Sequence, residues 1–227
     1  MPRTRRVAPD NTVQHVLNRR NRKETLFESA ADYRCFLNLM ADGIDRVSMR
    51  VLAFCLMPTH WHMVLWPHYG VELSAYIGWL SNAHVRQHHQ RHGTMGLGHV
   101  YQGRFKNFII QSDPHMFRVL RYVEANPLRA GLVSAAEQWP WSSLRDVRAP
   151  NGGQIISTWP LARPADWLGY VNQGIPEDEL ATLQHAARRG APYGDKRWVA
   201  DAATRHGLKS MLGRPPKREA AAFSAFE

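Results

Sequence analysis

Cysteine is scarce in this chain: among 227 residues only Cys35 and Cys55 occur. Two thiols cannot build a disulfide framework, and they lack the CxxC spacing of a zinc ribbon or a redox pair, so both are expected to be reduced and buried. Long hydrophobic runs are missing as well. No segment approaches the roughly 18 apolar residues that cross a bilayer, and the opening MPRTRRVAPDN carries no apolar stretch behind its arginines, so no secretory leader is expected. A soluble, cytoplasmic protein is the resulting expectation. Internal repeats of solenoid length are absent. Acidic residues are the third shortage, 19 against 29 Lys and Arg, for a net charge of +10. Such an excess concerns partners more than fold and favours a phosphate-rich polymer. A membrane surface is the weaker match, because the basic residues are spread over many segments and form no single basic amphipathic helix.

What is present suffices for a core, since 44% of residues are hydrophobic. TVQHVLN, residues 12–18, alternates and contains β-branched residues, predicting a strand that runs into the basic loop RRNRKE. Tyr33, Phe36, Leu37 and Met40 recur at helical spacing, predicting a helix from Ser29 or Asp32 to about Asp45 with Gly43 near its exit. Two apolar runs, residues 49–57 and 60–66, flank a break containing Pro58 and predict an antiparallel hairpin. Residues 72–92 form the longest helical pattern, closed by the loop GTMGLG. GRFKNFIIQS predicts another strand, and Asp113-Pro114 starts a helix that Pro127 should end or kink near Asn126. This order predicts an α+β domain, a central, mainly antiparallel sheet with helices packed on it, over residues 1–148. Residues 149–176 are expected to be a linker and a Trp/Pro-rich segment, and residues 177–227 a small helical region, at 177–189 and 196–206, with a basic tail, GRPPKREAAAFSAFE.

Within FCLMPTHWHMVLWP two histidines interrupt an apolar strand. Alternate side chains of a strand share a face, so His60 and His62 point one way and Trp61 the other. Two imidazoles presented side by side suit a metal site; ordinary hydrogen-bonded histidines are the plain alternative. Flanked by Met57, Met63, Val64 and Leu65, they need partners or suffer desolvation. A competing cluster, His84, His88 and His92 with His89 and His99 nearby, has no Cys or carboxylate at ligand spacing and is better explained as a polar helix face near nucleic acid. In FRVLRYVEANPLRAGLV, Tyr122 and Asn126 are four apart and share one face of a continuous helix. The plain alternative makes Tyr122 a core residue and Asn126 a cap.

The motifs CLMPTHWHMVLWP, HVYQGRFK, RYVEANPLRAGLV and WPWSS stand in the order seen in the REP-associated tyrosine transposases, a branch of the single-tyrosine HUH nucleases. The chain resembles that family from VQHVLNRRN to about Ser143, and again at GAPYGDKRWVADAATRHGL and the basic GRPPKR. The resemblance implies a ferredoxin/RRM-like nuclease domain in which His60 and His62 match the HUH pair, Asn126 takes the place of the third metal ligand and Tyr122 matches the nucleophile. Thr59 stands where the family often has Asn, and Trp61 replaces a smaller apolar residue and needs room on the opposite sheet face. Tyr101 falls on the aromatic before Gln in the family's HLWQGRF pattern, so Tyr122 is the nucleophile expected.

By the same resemblance the activity would be a metal-dependent single-stranded DNA cleavage and strand transfer on hairpins of the REP type, through a 5′-phosphotyrosine. A phenol of ordinary pKa, about 10, is a poor nucleophile at neutral pH and needs help. Mg2+ or Mn2+ fits a site completed by phosphate and water oxygens. Arg19, Arg20, Arg22, Lys23, Arg104, Lys106, Arg118 and Arg121 are candidates for phosphate contacts, each with solvated surface charge as its alternative. Trp61, Trp66, Trp79 and Tyr101 are candidates for base stacking, with core packing as theirs. No membrane partner is expected, and either a monomer or a homodimer is compatible. A non-catalytic binder of structured DNA or RNA on the same fold is the main rival, and a histidine-dependent phosphodiesterase of small substrates the third reading.

Overall fold

The computed structural model describes residues 7–145 and 149–213, apart from the Lys23 side chain. The basic tail expected at the end of the chain lies, from residue 214 on, outside the described residues. Four strands, β1 (Gln14–Arg19), β2 (Arg50–Met57), β3 (His60–Trp66) and β4 (Lys106–Ile109), form one sheet in the order β2-β3-β1-β4. Every pairing is antiparallel. Thr59 lies within the short β2–β3 connection, which includes Pro58, a residue with no N–H for a ladder. Its carbonyl is used instead, accepting from Leu26 and Phe27 N–H at 2.6 and 3.2 Å.

The period-2 alternation divides the strand residues between two cores. Trp61, Met63, Leu65, Phe54 and Leu56 face α1 (Ala30–Val47) and α2 (Gly70–His92). Val64, Cys55, Met57 and Phe108 face α3 (Pro114–Glu124) on the opposite side. Helix α1 opens with a capping box, Ser29 Oγ accepting from Asp32 N–H while the Asp32 carboxylate accepts from Ser29 N–H. It runs past Gly43, whose role is close approach rather than exit: a Cβ there would lie 2.8 Å from the Tyr76 ring of α2. Asp113 caps α3, and Pro114 occupies the first turn, where its missing N–H is harmless. Cys55 is buried, whereas Cys35 is only half-buried.

The end of the expected domain, at Trp141 and Ser143, and the segment expected as a linker, at Ser157 and Trp159, are packed along the free edge of β2. Leu56 N–H donates to Trp141 O, Ser143 N–H to Phe54 O, Ser157 N–H to Val51 O, and the Trp159 indole to Leu52 O, all at 2.8–2.9 Å. An open edge would template pairing with other chains, and these bonds close it. Beyond α5 (Trp167–Asn172), α6 (Glu177–Arg189) packs on β4, and Tyr193 bridges Ile110. Helices α7 (Lys196–Arg205) and α8 (Lys209–Leu212) follow, so both sheet edges are covered by the chain's second half. Among the described residues no helix is long and apolar enough to cross a membrane.

Candidate active site

Strand β3 presents His60 and His62 on the α3 side of the sheet, with ring centroids 4.9 Å apart. Burial, then the Arg19 charge, draws the His60 imidazole down to about 4. His62 is held well below its ordinary value by burial and then by His60, His15, Arg129 and Arg19. Both rings are therefore neutral at pH 7, the form that has a lone pair to give. Each Nδ1 is engaged, His60 with Thr59 Oγ1 at 3.0 Å and His62 with His15 Nε2 at 2.9 Å. Neither Nε2 makes a hydrogen bond among the described residues.

Pro127 interrupts the helical run, as its sequence predicts, but the chain bends rather than stops. Ala125 adopts φ −82°, ψ −1°, and α4 (Asn126–Arg129) restarts with Pro127 in its first turn. The break leaves the last carbonyls of α3 short of partners. The Asn126 side-chain amide supplies them, donating to Tyr122 O at 3.0 Å and Val123 O at 3.3 Å. That fixes the amide's orientation and leaves Oδ1 as its free end, which accepts from Arg129 at 3.3 Å. One turn back, the Tyr122 ring stands edge-on to His62 at 5.9 Å and 89°. The Arg129 guanidinium lies over that ring, 4.8 Å from its centroid.

All four side chains line one cleft of about 680 Å³, together with the cations Arg19, Arg104, Lys106, Arg129 and Arg188. Three of these belong to the expected phosphate contacts. The others lie elsewhere: Arg20 pairs with Glu24 at 3.2 Å, and Arg22 is exposed outside the cleft lining. Arg121 is turned to Glu179 of α6 at 2.6 Å and is only 4% exposed, and Arg118 faces the same carboxylate at 3.9 Å. Arg121 thus ties α3 to α6, while the partly exposed Arg118 lies outside the cleft lining. The Lys23 side chain lies outside the described residues.

The base-stacking candidates are also occupied. Trp61 is fully buried and donates its indole N–H to the Tyr101 hydroxyl at 3.1 Å, so the room it requires exists on the α1–α2 side. Tyr101 in turn pairs with His84 at 2.8 Å. Trp66 lies beneath Arg50, and Trp79 beneath Arg46. His84 and His88, expected on a polar face, are buried against α1, and His92 meets Asp32. Sequence reasoning missed His15, Arg129 and Arg188. Position 129 was within a quoted motif, but its place over the phenol depends on the turn after Pro127.

Among the described residues no group of three or more His, Cys, Asp or Glu side chains could hold a metal ion. A third protein donor beside His60 and His62 would therefore be of another type, and the amide oxygen of Asn126, which also accepts from Arg129, is the candidate. Two imidazole nitrogens and one amide oxygen on a single cleft fit a divalent ion that fills its remaining positions with phosphate and water oxygens.

The model of the family described as "Transposase IS200 like" matches residues 10–126, more than half of the chain. The chain belongs to the IS200-like transposases. The match takes in His15, His60, His62, Tyr122 and Asn126, while Arg129 and α6 lie beyond it. A Haemophilus influenzae protein named as a REP-associated tyrosine transposase is 28% identical over 146 residues, spanning 59% of this chain and 75% of that protein. A solved REP-associated tyrosine transposase, bound to a REP hairpin, superposes with a TM-score of 0.54 at 20% identity, covering 73% of this chain and 96% of that one. At that identity the likeness concerns the fold, and it agrees with the predicted α+β architecture. A Deinococcus radiodurans structure named as a transposase matches at a TM-score of 0.36 and 16% identity, over 55% of this chain and 96% of that one, too low to carry weight.

Proposed function

We propose that this IS200-like transposase is a metal-dependent single-stranded DNA endonuclease and strand transferase that acts on hairpin DNA through Tyr122. The observation carrying the reading is the Tyr122 phenol edge-on to His62 at 5.9 Å, in a cleft it shares with His60 and Asn126. His60 and His62, through Nε2, and Asn126, through Oδ1, would hold Mg2+ or Mn2+. Such an ion, when bound, polarises the scissile phosphate and offsets charge developing on it. Tyr122 Oη attacks phosphorus in line, forming a phosphotyrosine as the bond to the 3′ oxygen breaks. The phenol gives up its proton and the departing 3′ oxygen takes one up. One phosphodiester replaces another of similar energy, so a second 3′ hydroxyl can reverse the step and join strands without ATP.

Arg129 supports the site by standing over the phenol ring and holding Asn126 Oδ1. Arg19, Arg104, Lys106 and Arg188 would take backbone phosphates along the cleft. Hairpin substrates are proposed from the REP hairpin bound by the solved relative. The test is a 3′-labelled hairpin pool with Mn2+, resolved under denaturing conditions. A covalent adduct is expected with the natural protein and none with Tyr122→Phe. Hairpin binding without any adduct would instead make the protein a non-catalytic binder.

A further inference from the structure

His15 is fully buried on β1, two residues from Leu17, the cross-strand partner of His62. In an antiparallel sheet such a diagonal neighbour lies within reach of a long side chain. Here the contact is made, His15 Nε2 to His62 Nδ1 at 2.9 Å, with the rings 5.1 Å apart. The two nitrogens share one proton. If His62 donates, its Nδ1 is protonated and Nε2 carries a lone pair. If His15 donates, His62 must carry its proton on Nε2 and cannot ligate. When His15 Nε2 accepts, the ring's own proton lies on Nδ1, which is buried without a partner, and the ring is packed against Phe108 at 4.8 Å and edge-on to Tyr122 at 6.0 Å. A buried ring with an orphaned nitrogen calls for an explanation beyond packing, since an apolar residue would fill the space without that orphan.

We propose that His15 is a positioning residue: it accepts the His62 Nδ1 proton, fixes the ring's rotation and tautomer, and leaves Nε2 open as a metal ligand. The inference rests on the metal-site reading above. It assigns to β1 a share in a centre whose other parts come from β3 and the α3–α4 turn. Outer partners that set the tautomer of a ligating imidazole change metal affinity by about 10- to 100-fold when removed.

The test uses the full chain and Mn2+ alone, titrated by the electron paramagnetic resonance signal of the free ion. His15→Phe keeps a flat ring in the same space and removes the acceptor. His15→Gln brings an amide oxygen to about the place of Nε2. The natural protein is expected to bind Mn2+ and His62→Ala to lose it. His15→Phe should bind about 10- to 100-fold more weakly, and His15→Gln within a few-fold of the natural protein. Long-range 15N–1H NMR of the natural protein should show His62 protonated on Nδ1. Failure of the natural protein to bind Mn2+ would overturn the metal reading and this inference with it. Natural binding left unchanged by His15→Phe would overturn this inference alone. Should His15→Phe fail to fold, the NMR experiment decides, and a His62 proton found on Nε2 overturns the proposal.

Discussion

Tyr122 has a cation over its ring and an imidazole at its edge, and the two neighbours do different work. His62 belongs to the proposed metal site, whereas Arg129 lies over the phenol, where it would offset charge developing in the reaction, and donates to Asn126 Oδ1 at 3.3 Å. Removing one preorganised donor from a site where charge develops slows chemistry by about 100-fold or more. Arg129→Ala is therefore expected to lower the single-turnover rate of adduct formation by about 100-fold. Arg129→Lys, which keeps the charge but loses the planar fork, should fall between. Rates measured at saturating hairpin separate this from weaker binding; an unchanged rate would remove Arg129 from the chemistry. Residue by residue, the sequence made the proposed metal-ligand and nucleophile positions visible because each lies in a contiguous motif. His15 was invisible for a physical reason: its meeting with His62 depends on strand register, and nothing within TVQHVLN specifies which residue of β3 it will face.

At the scale of elements, the strands and long helices follow from periodicity, but what holds α3 in place does not. The helix that carries Tyr122 is pinned from α6 by Glu179, which accepts from Arg121 at 2.6 Å while the Arg121 guanidinium stacks on Tyr170 at 4.2 Å. Arg121 was expected on DNA because an arginine on a basic chain reads as surface charge; only the packing of α6, 58 positions away, turns it inward. Removing one partner of a buried pair costs about 3–5 kcal/mol, because the other charge stays buried without compensation. Glu179→Ala should thus destabilise the protein by roughly 3 kcal/mol in urea unfolding. The double variant Arg121→Met/Glu179→Leu should recover most of that loss. If the single and double variants were equally unstable, the pair would not be the clamp. Glu124, one turn from Arg121, makes a second tie: its carboxylate accepts from Ser143 Oγ and the Trp167 indole, at 2.6 and 2.7 Å. Glu124→Gln exchanges one acceptor for a donor, so one of these partners is orphaned. A loss of about 1–3 kcal/mol is expected by the same measurement.

For the molecule as a whole, titration and charge give separate signatures. Burial lowers the His84 imidazole to about 3, so the unfolded chain takes up a proton that the folded chain refuses. The resulting stability is intact above pH 6.5 and is lost as pH falls toward 3, by up to about 1.4 kcal/mol per pH unit. His84→Asn, which returns a polar atom to the Tyr101 hydroxyl, should flatten the dependence of unfolding free energy between pH 6 and 4 by about one proton. The net charge of +10 acts on partners instead, and the structure divides the basic residues into those that can meet a strand in the cleft and those that cannot. Each phosphate neutralised on a single strand contributes roughly −0.7 to the slope of log affinity against log salt. If Arg19, Arg104, Lys106 and Arg188 all engage phosphates, that slope for a single-stranded ligand is about −2.8. Arg104→Ala should then reduce it to about −2.1. Arg118→Ala should leave it unchanged, because that side chain faces Glu179 across 3.9 Å instead of the cleft. Fluorescence anisotropy at several salt concentrations measures both, and equal losses for the two variants would mean that net charge, rather than the cleft, governs binding.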